Sequence, residues 1–278
     1  MAALTGVQVG LAMVATRALE GQVGPFTLGF LRYVIGCLVL LPFFLRLRTP
    51  RIAVRDRWPV LALGVVQFGV LIALLNAGLE RLPAATSAVL FATFPLITIL
   101  LGAVLGTERL SLGRLGGAAL SVAGVAICLG GTTMPGDPLG AVLVLGAALS
   151  GALCATFYRP YLQRYPTLQI GMVAMLAAVV TLLPLSLVEA SPDALAALPA
   201  GSWWLILLIG LSSGAGYVLW LTALKHAAAS EATILMGLSP VTALLLGWLW
   251  LSEPLTAGFT MGLALVLSGV ALAVLSRG

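Results

Sequence analysis

The sequence has little charge: only 8% of its 278 residues are Asp, Glu, Lys or Arg, while 61% are hydrophobic. A soluble domain needs about 25% charged residues to cover its surface. A soluble fold is therefore excluded, and most of the chain is dissolved in lipid. Histidine is almost missing, since His226, beside Lys225, is the single copy. No nucleophile–base–acid set, metal cluster or phosphate loop can be assembled from what remains, so neither an enzyme nor a cofactor or metal site is expected. The three cysteines, Cys37, Cys128 and Cys154, lie in apolar stretches without metal-ligand spacing and read as small packing residues. No carboxylate lies deep within an apolar run. Proton- or sodium-coupled carriers commonly keep one there, so its lack argues against tight coupling of that kind and against a strongly cationic substrate. The pI near 9.6 does not point to nucleic acid, because the positive charges cluster in short loops between apolar runs.

What is there is ten such runs, near residues 3–20, 25–45, 58–79, 84–105, 111–130, 139–158, 167–188, 203–224, 231–250 and 256–275. Most are about 20 residues long, the length a tilted span requires. The first has no basic n-region and more spans follow it, so it reads as a span rather than a cleaved signal. No connecting loop is long enough for an extramembrane domain.

The runs repeat. Pro95, Gly102, Glu108, Leu110, Gly113, Gly117 and Gly124 recur without a gap as Pro240, Gly247, Glu253, Leu255, Gly258, Gly262 and Gly269, an offset of 145 residues. Residues 1–138 and 139–278 thus form two copies of five spans each. An odd number of spans makes the second copy enter from the opposite face. The expected fold is all-α and integral to the membrane: ten helices in two inverted five-helix repeats around a central cavity. Inverted repeats suit alternating access.

Charge sets the orientation. The arginines of the loop between spans two and three, Arg109, Arg114, Arg159, Arg164, Lys225 and Arg277 fall on one side, and Glu20, Glu80, Asp137, Glu189, Asp193 and Glu253 on the other, with Arg81 the main exception. The positive-inside rule then places both termini in the cytoplasm. Trp58, Trp203 and Trp204 stand at span starts as interfacial anchors.

Pro95 and Pro240 occupy matched positions near the middle of spans four and nine. Each removes a backbone donor, leaving the carbonyls of Phe91 and Met236 without one. In lipid such acceptors are tolerated only where protein or a wet cavity satisfies them. Matched kinks lining a mid-depth cavity are expected. Ser213, Tyr217 and Trp220 share a face of span eight, and Gly64, Gln67, Phe68 and Leu71 a face of span three. Gln8, Asn76, Thr86, Ser87, Thr93, Thr156, Ser212, Thr233 and Ser239 are further polar residues at depth. The candidate substrate cavity is Gln67, Leu71, Phe91, Phe94, Pro95, Ser213, Tyr217, Trp220, Met236, Ser239 and Pro240. Arg32 is the one basic residue well inside a span, and two readings stay open for it: a structural ion pair with Glu20, or a site for a substrate carboxylate. The Gly113-x-x-x-Gly117 and Gly258-x-x-x-Gly262 faces allow close helix approach, within the fold or in a homodimer through spans five and ten, and a monomer is favoured. Ser111 and Thr256 read as N-caps.

Pro25-x6-Arg32, the stretch Ala84 to Leu101 around Pro95, the turn Gly106-Thr-Glu108-Arg-Leu110-Ser111 before a Gly-rich span, Ser230 to Pro240, and Leu251-Ser-Glu253-Pro254-Leu255 together resemble the drug/metabolite transporter superfamily. Over essentially the whole chain the resemblance is to its EamA-type ten-span exporters, and within those to the amino-acid exporter branch. One departure is the first span, where Gly10-Leu-Ala-Met-Val replaces a Trp-Gly usual in the family. The resemblance implies a ten-helix basket in which spans three, four, eight and nine, with one and six, surround the cavity, and five and ten are peripheral. It implies export of aromatic and other neutral amino acids and related metabolites across a bacterial inner membrane by alternating access. The expected partners are a small-molecule substrate and the lipid bilayer. Efflux of drugs or other metabolites is the alternative within transport, and a lipid scramblase or structural membrane protein the alternative outside it.

Overall fold

A computed structural model describes residues 2–46, 52–106, 112–130, 137–226, 238–252 and 255–276. Among these the chain is helical and contains no strand. The ten longer helices among the described residues are α1 (Ala2–Arg17), α2 (Pro25–Arg46), α3 (Val54–Leu79), α4 (Ala84–Val104), α5 (Leu112–Gly130), α6 (Pro138–Arg164), α7 (Thr167–Glu189), α8 (Ala200–His226), α9 (Leu238–Leu251) and α10 (Ala257–Leu275), and a one-turn helix over Pro192–Ala196 precedes α8. Helices α2, α3, α4, α6, α7 and α8 are long and apolar enough to cross a membrane by length and composition. The others are shorter in the described residues, and the first half of span nine lies outside them.

Large apolar side chains such as Leu38, Phe43, Val104, Val180 and Val188 face outward, as a lipid-dissolved surface should. Trp58 and Trp204 are exposed at the starts of α3 and α8, where their amphipathic rings suit a headgroup layer. Small residues let backbones meet. A Cβ on Gly124 would lie 2.7 Å from the Gly262 carbonyl oxygen and 2.7 Å from Val266 N; one on Gly269 would lie 2.5 Å from the Gly117 oxygen and 2.7 Å from Ser121 N. These residues correspond pairwise across the two copies, so α5 and α10 cross antiparallel about a local pseudo-two-fold. Ser121 Oγ donates across the crossing to Val266 O at 3.2 Å. The glycine faces of α5 and α10 therefore pack against each other within one chain. Gly36 and Gly214 make a similar crossing of α2 with α8, and Gly64 meets Ala174 where α3 crosses α7.

Helix ends follow the expected chemistry where they are described. Thr256 caps α10, its hydroxyl accepting from Phe259 N at 3.2 Å. Asp137 caps α6, accepting from Leu139 N at 2.9 Å. Ser111, Glu108 and Glu253 lie outside the described residues. Cys37 and Cys154 are buried free thiols, in keeping with packing roles; the Cys128 side chain lies outside the described set.

Two helices are interrupted at mid-length. Helix α4 stops at Phe91, turns through Ala92 and Thr93, and restarts at Phe94. Pro95 occupies the first turn of the restarted segment, where a missing N–H costs least. The Thr93 hydroxyl donates to Leu90 O at 2.7 Å across the break. Helix α3 carries a π turn over Val65–Val70, a wider turn that accommodates one extra residue. It holds Gln67 and Phe68.

Candidate functional site

Helices α1, α2, α3, α4, α6 and α8 enclose one cavity holding about 810 Å³ of empty space, part of it continuous with solvent. The π turn of α3 brings Gln67 and Phe68 to its wall, followed by Leu71, Ile72, Leu75, Asn76 and Leu79. The broken α4 brings Phe91 and Phe94. Helix α8 brings Ser213, Gly216, Tyr217 and Trp220, and α2 brings Arg32 and Tyr33.

The wall is aromatic. Phe68 stands between Tyr33, at 4.7 Å and 77°, and Tyr217, at 4.2 Å and 62°. Phe94 stands between Phe91, at 5.7 Å, and Trp220, at 5.9 Å. The first two pairs are edge-to-face and the second two tilted. Aromatic pairs of this kind are worth about 0.5–1.5 kcal/mol each beyond their burial, so the six rings form a preset apolar surface. Among the described residues no Asp or Glu lines the cavity.

Seven of the expected cavity residues, Gln67, Leu71, Phe91, Phe94, Ser213, Tyr217 and Trp220, come together on this wall, and Arg32 joins them. Pro95, Ser239 and Pro240 do not line it. Pro95 is buried in the α4 break, and the Ser239 carbonyl meets α1 at Gly10, where a Cβ would lie 2.6 Å from it. Met236 lies outside the described residues. Span one also lines the cavity, as the family resemblance implies, through a stripe of Thr5, Gln8, Val9, Ala12, Met13 and Thr16 on α1. Of these only Gln8 was singled out from the sequence, although the three- and four-residue spacing is legible there. Gln8 Nε2 donates to Ser212 O at 2.7 Å and its side chain covers Gly216.

The Arg32–Glu20 pair does not form. Glu20 Oε2 instead holds Arg17 Nη1 at 2.6 Å, and the same Nη1 donates to Leu79 O at 2.7 Å. The reason is depth. Arg17 and Glu20 meet one turn apart at the end of α1, whereas Arg32 lies seven residues into α2, roughly 10 Å below its start. Arg32 is 6% exposed, and no acceptor contacts its Nε. A central membrane arginine costs about 2.5–3.5 kcal/mol on insertion scales, so its presence calls for compensation.

The carboxylate-bearing ends of the helices are tied together beyond the cavity. Glu189, at the end of α7, accepts from Thr27 N at 2.6 Å and Phe26 N at 3.3 Å at the start of α2. Asn76 Nδ2 donates to Pro25 O at 3.0 Å, and Ser202 donates to Gln22 Oε1 at 2.5 Å. Arg81 pairs with Asp137 at 2.8 Å and holds that carboxyl below its ordinary range. Partial burial, with Glu189 and Glu20 nearby, raises the Glu80 carboxyl above its usual value. A raised carboxyl contributes stability when protonated and loses it as pH rises through the folded value. Glu80→Gln is therefore expected to be slightly more stable than the wild type near neutral pH, the gain being small because solvent screens so exposed a carboxyl. That margin should vanish once acid protonates Glu80. Thermal unfolding in detergent from neutral pH down to about pH 4 checks it.

An all-helical membrane protein whose interrupted helices line an aromatic cavity, with no acid among the described lining residues, is built as a transporter. Profile comparison assigns residues 1–130 and 138–275 to the EamA-like transporter family, to which the chain belongs. A relative described as a probable terminal-alkyne amino-acid exporter, from Streptantibioticus cattleyicolor, is 32% identical over 82% of this chain and 76% of its own. An uncharacterized transporter of Archaeoglobus fulgidus is 27% identical over 99% of this chain and 98% of its own. YedA, an uncharacterized inner membrane transporter of Escherichia coli, is 30% identical over 71% of this chain and 64% of its own. A solved crystal structure superposes with a TM-score of 0.74 over 99% of this chain and 97% of that one, at 21% identity, a likeness of fold alone.

Proposed function

We propose that this transporter exports neutral and zwitterionic amino acids, aromatic ones among them, across the inner membrane by alternating access, with both termini in the cytoplasm. The observation that carries this reading is the cavity wall: six aromatic rings, polar groups from Gln67 and Ser213, and no carboxylate among the described lining residues. Rings give adaptable apolar contact to varied side chains. The absence of acid disfavours net cations and leaves zwitterions acceptable. The amino-acid exporter among the relatives supports the same substrate class. The interrupted helices α3 and α4 meet at the wall, so rocking of one repeat against the other would alter the site directly.

Proteoliposomes holding the purified protein test this. Labelled L-phenylalanine and L-leucine should exchange at rates well above those of empty liposomes. Scrambling of labelled lipid without amino-acid flux would sink the reading. Tyr217→Ala and Gln67→Ala are expected to change flux about tenfold or more while leaving the size-exclusion profile intact, because both side chains stand on the wall. Wild-type flux in both would remove them from the site.

A further inference from the structure

We propose that the Arg32 guanidinium is the anion subsite of this cavity, so that the molecule carried bears one carboxylate beside an apolar or aromatic body. The proposal rests on the cavity being the transport route. Arg32 lines the cavity, is 6% exposed, and among the described residues has no hydrogen bond or ion pair. Arginine keeps its charge at any working pH. A buried charge inside a helical bundle needs a counter-charge, and the described residues do not pair one with it. No ion pair joins Arg32 to a carboxylate of the same half among the described residues: Glu20 holds Arg17, Glu189 holds the backbone N–H groups that open α2, Asp137 holds Arg81, and Glu80 lies beside Glu189, Glu20 and Arg81. A substrate carboxylate fits the vacancy in charge and shape, because the planar fork of a guanidinium matches two carboxylate oxygens at once.

Two further polar atoms without partners belong to the same wall, Thr16 Oγ1 and Asn76 Oδ1. They come from the last turns of α1 and α3, in the acidic half of the molecule, as does Arg32. A hydroxyl can donate to the second carboxylate oxygen. An amide oxygen can accept from an α-ammonium group. The deeper wall, Phe68, Phe94 and Trp220, is apolar and receives the side chain. The molecule would therefore lie with its charged end toward the acidic side and its apolar end toward the middle.

Binding is measured apart from flux, by thermal stability of the full-length protein in detergent with 3-phenylpropionate, which has a carboxylate and no amine, or phenethylamine, which has the reverse. The wild type should be stabilised by 3-phenylpropionate and not by phenethylamine. Arg32→Gln should need roughly tenfold or more 3-phenylpropionate for the same shift, and Arg32→Lys should fall between. Equal protection by the two compounds in the wild type, protection by neither, or undiminished protection in a folded Arg32→Gln overturns the proposal. Should Arg32→Gln not fold, the acid-over-amine preference of the wild type decides the matter by itself. Amino-acid flux without an acid preference would leave the proposed function standing and remove the subsite. An acid preference lost with Arg32, but no amino-acid flux, would do the opposite.

Discussion

Gly64→Val is expected to abolish folded protein. A Cβ at this position would lie 2.6 Å from both the Cα and the carbonyl oxygen of Ala174, and 3.0 Å from its carbonyl carbon. All three are backbone atoms of α7, so no side chain can rotate away. The helices themselves must part. Overpacking a well-filled interior costs about 1–3 kcal/mol where side chains can adjust, and the cost here should reach or exceed the top of that range. The damage also extends to the site. Gly64 is the last residue before the π turn that carries Gln67 and Phe68 to the cavity wall. Phe68 in turn holds Tyr33 and Tyr217 by ring contacts. Displacing α3 from α7 should therefore disorder the aromatic wall along with the fold. Gly69→Ala, in the same π turn, is the control: its Cβ would make only an ordinary 3.7 Å contact with Val65 Cγ1. Size-exclusion profiles and thermal unfolding in detergent separate the two. A monodisperse Gly64→Val protein with wild-type stability would show that α3 and α7 do not pack as closely as this crossing requires.

Much of this arrangement was legible in the sequence, and the exceptions share a physical cause. The spans follow from apolar length, and the α4 break from Pro95, because local chemistry dictates both. The glycine crossing of α5 and α10 could be read as close packing, although the sequence left open whether it lay within the chain or between chains. The faces of α3 and α8 were legible from helical spacing, and Gln67, Leu71, Ser213, Tyr217 and Trp220 do share a wall. The π turn was not legible. A slipped hydrogen-bond register depends on what packs beside it, here Ala174 against Gly64, and leaves no composition signal of its own. Tyr33 was missed for a related reason. It follows Arg32 directly, and helical geometry puts adjacent residues about 100° apart, yet both line a cavity wide enough to admit them. A pair between Glu20 and Arg32, one of the two readings open for that arginine, follows from their nearness across a turn in the sequence. Depth along the membrane normal, which sequence distance does not measure, gave Glu20 to Arg17 instead.

Arg17→Ala is expected to open the acidic end of the cavity. Arg17 Nη1 joins two elements at once, bonding to Glu20 Oε2 at 2.6 Å and to Leu79 O at 2.7 Å. The end of α1 is thereby held to the end of α3. Leu79, Asn76 and Thr16 line the cavity, so the latch lies just beyond the last residues of the wall. Four further ties bind this end, from Glu189 to the start of α2, from Asn76 to Pro25, from Ser202 to Gln22, and from Arg81 to Asp137. Only the Arg17 contact is charge-assisted and at the same time joins α1 to α3. A hydrogen bond to a charged group is worth about 1.5–3 kcal/mol net. If this one exists only in the closed state, its loss should raise the open population roughly tenfold to a hundredfold. The readout is the rate at which a membrane-impermeant maleimide labels Leu79→Cys in a background with Cys37, Cys128 and Cys154 replaced by serine. Leu79 is 2% exposed, so labelling should be slow with Arg17 present and at least about tenfold faster in Arg17→Ala. Glu20→Gln should give a smaller increase, because the bond from Arg17 to the Leu79 carbonyl survives it. Equal labelling rates with and without Arg17, in proteins that elute alike on size exclusion, would mean the other four ties close this end without it. The alternating access proposed for this transporter requires that such a latch break in each cycle. Arg17→Ala should therefore also shift amino-acid flux, in whichever direction the closed state limits turnover.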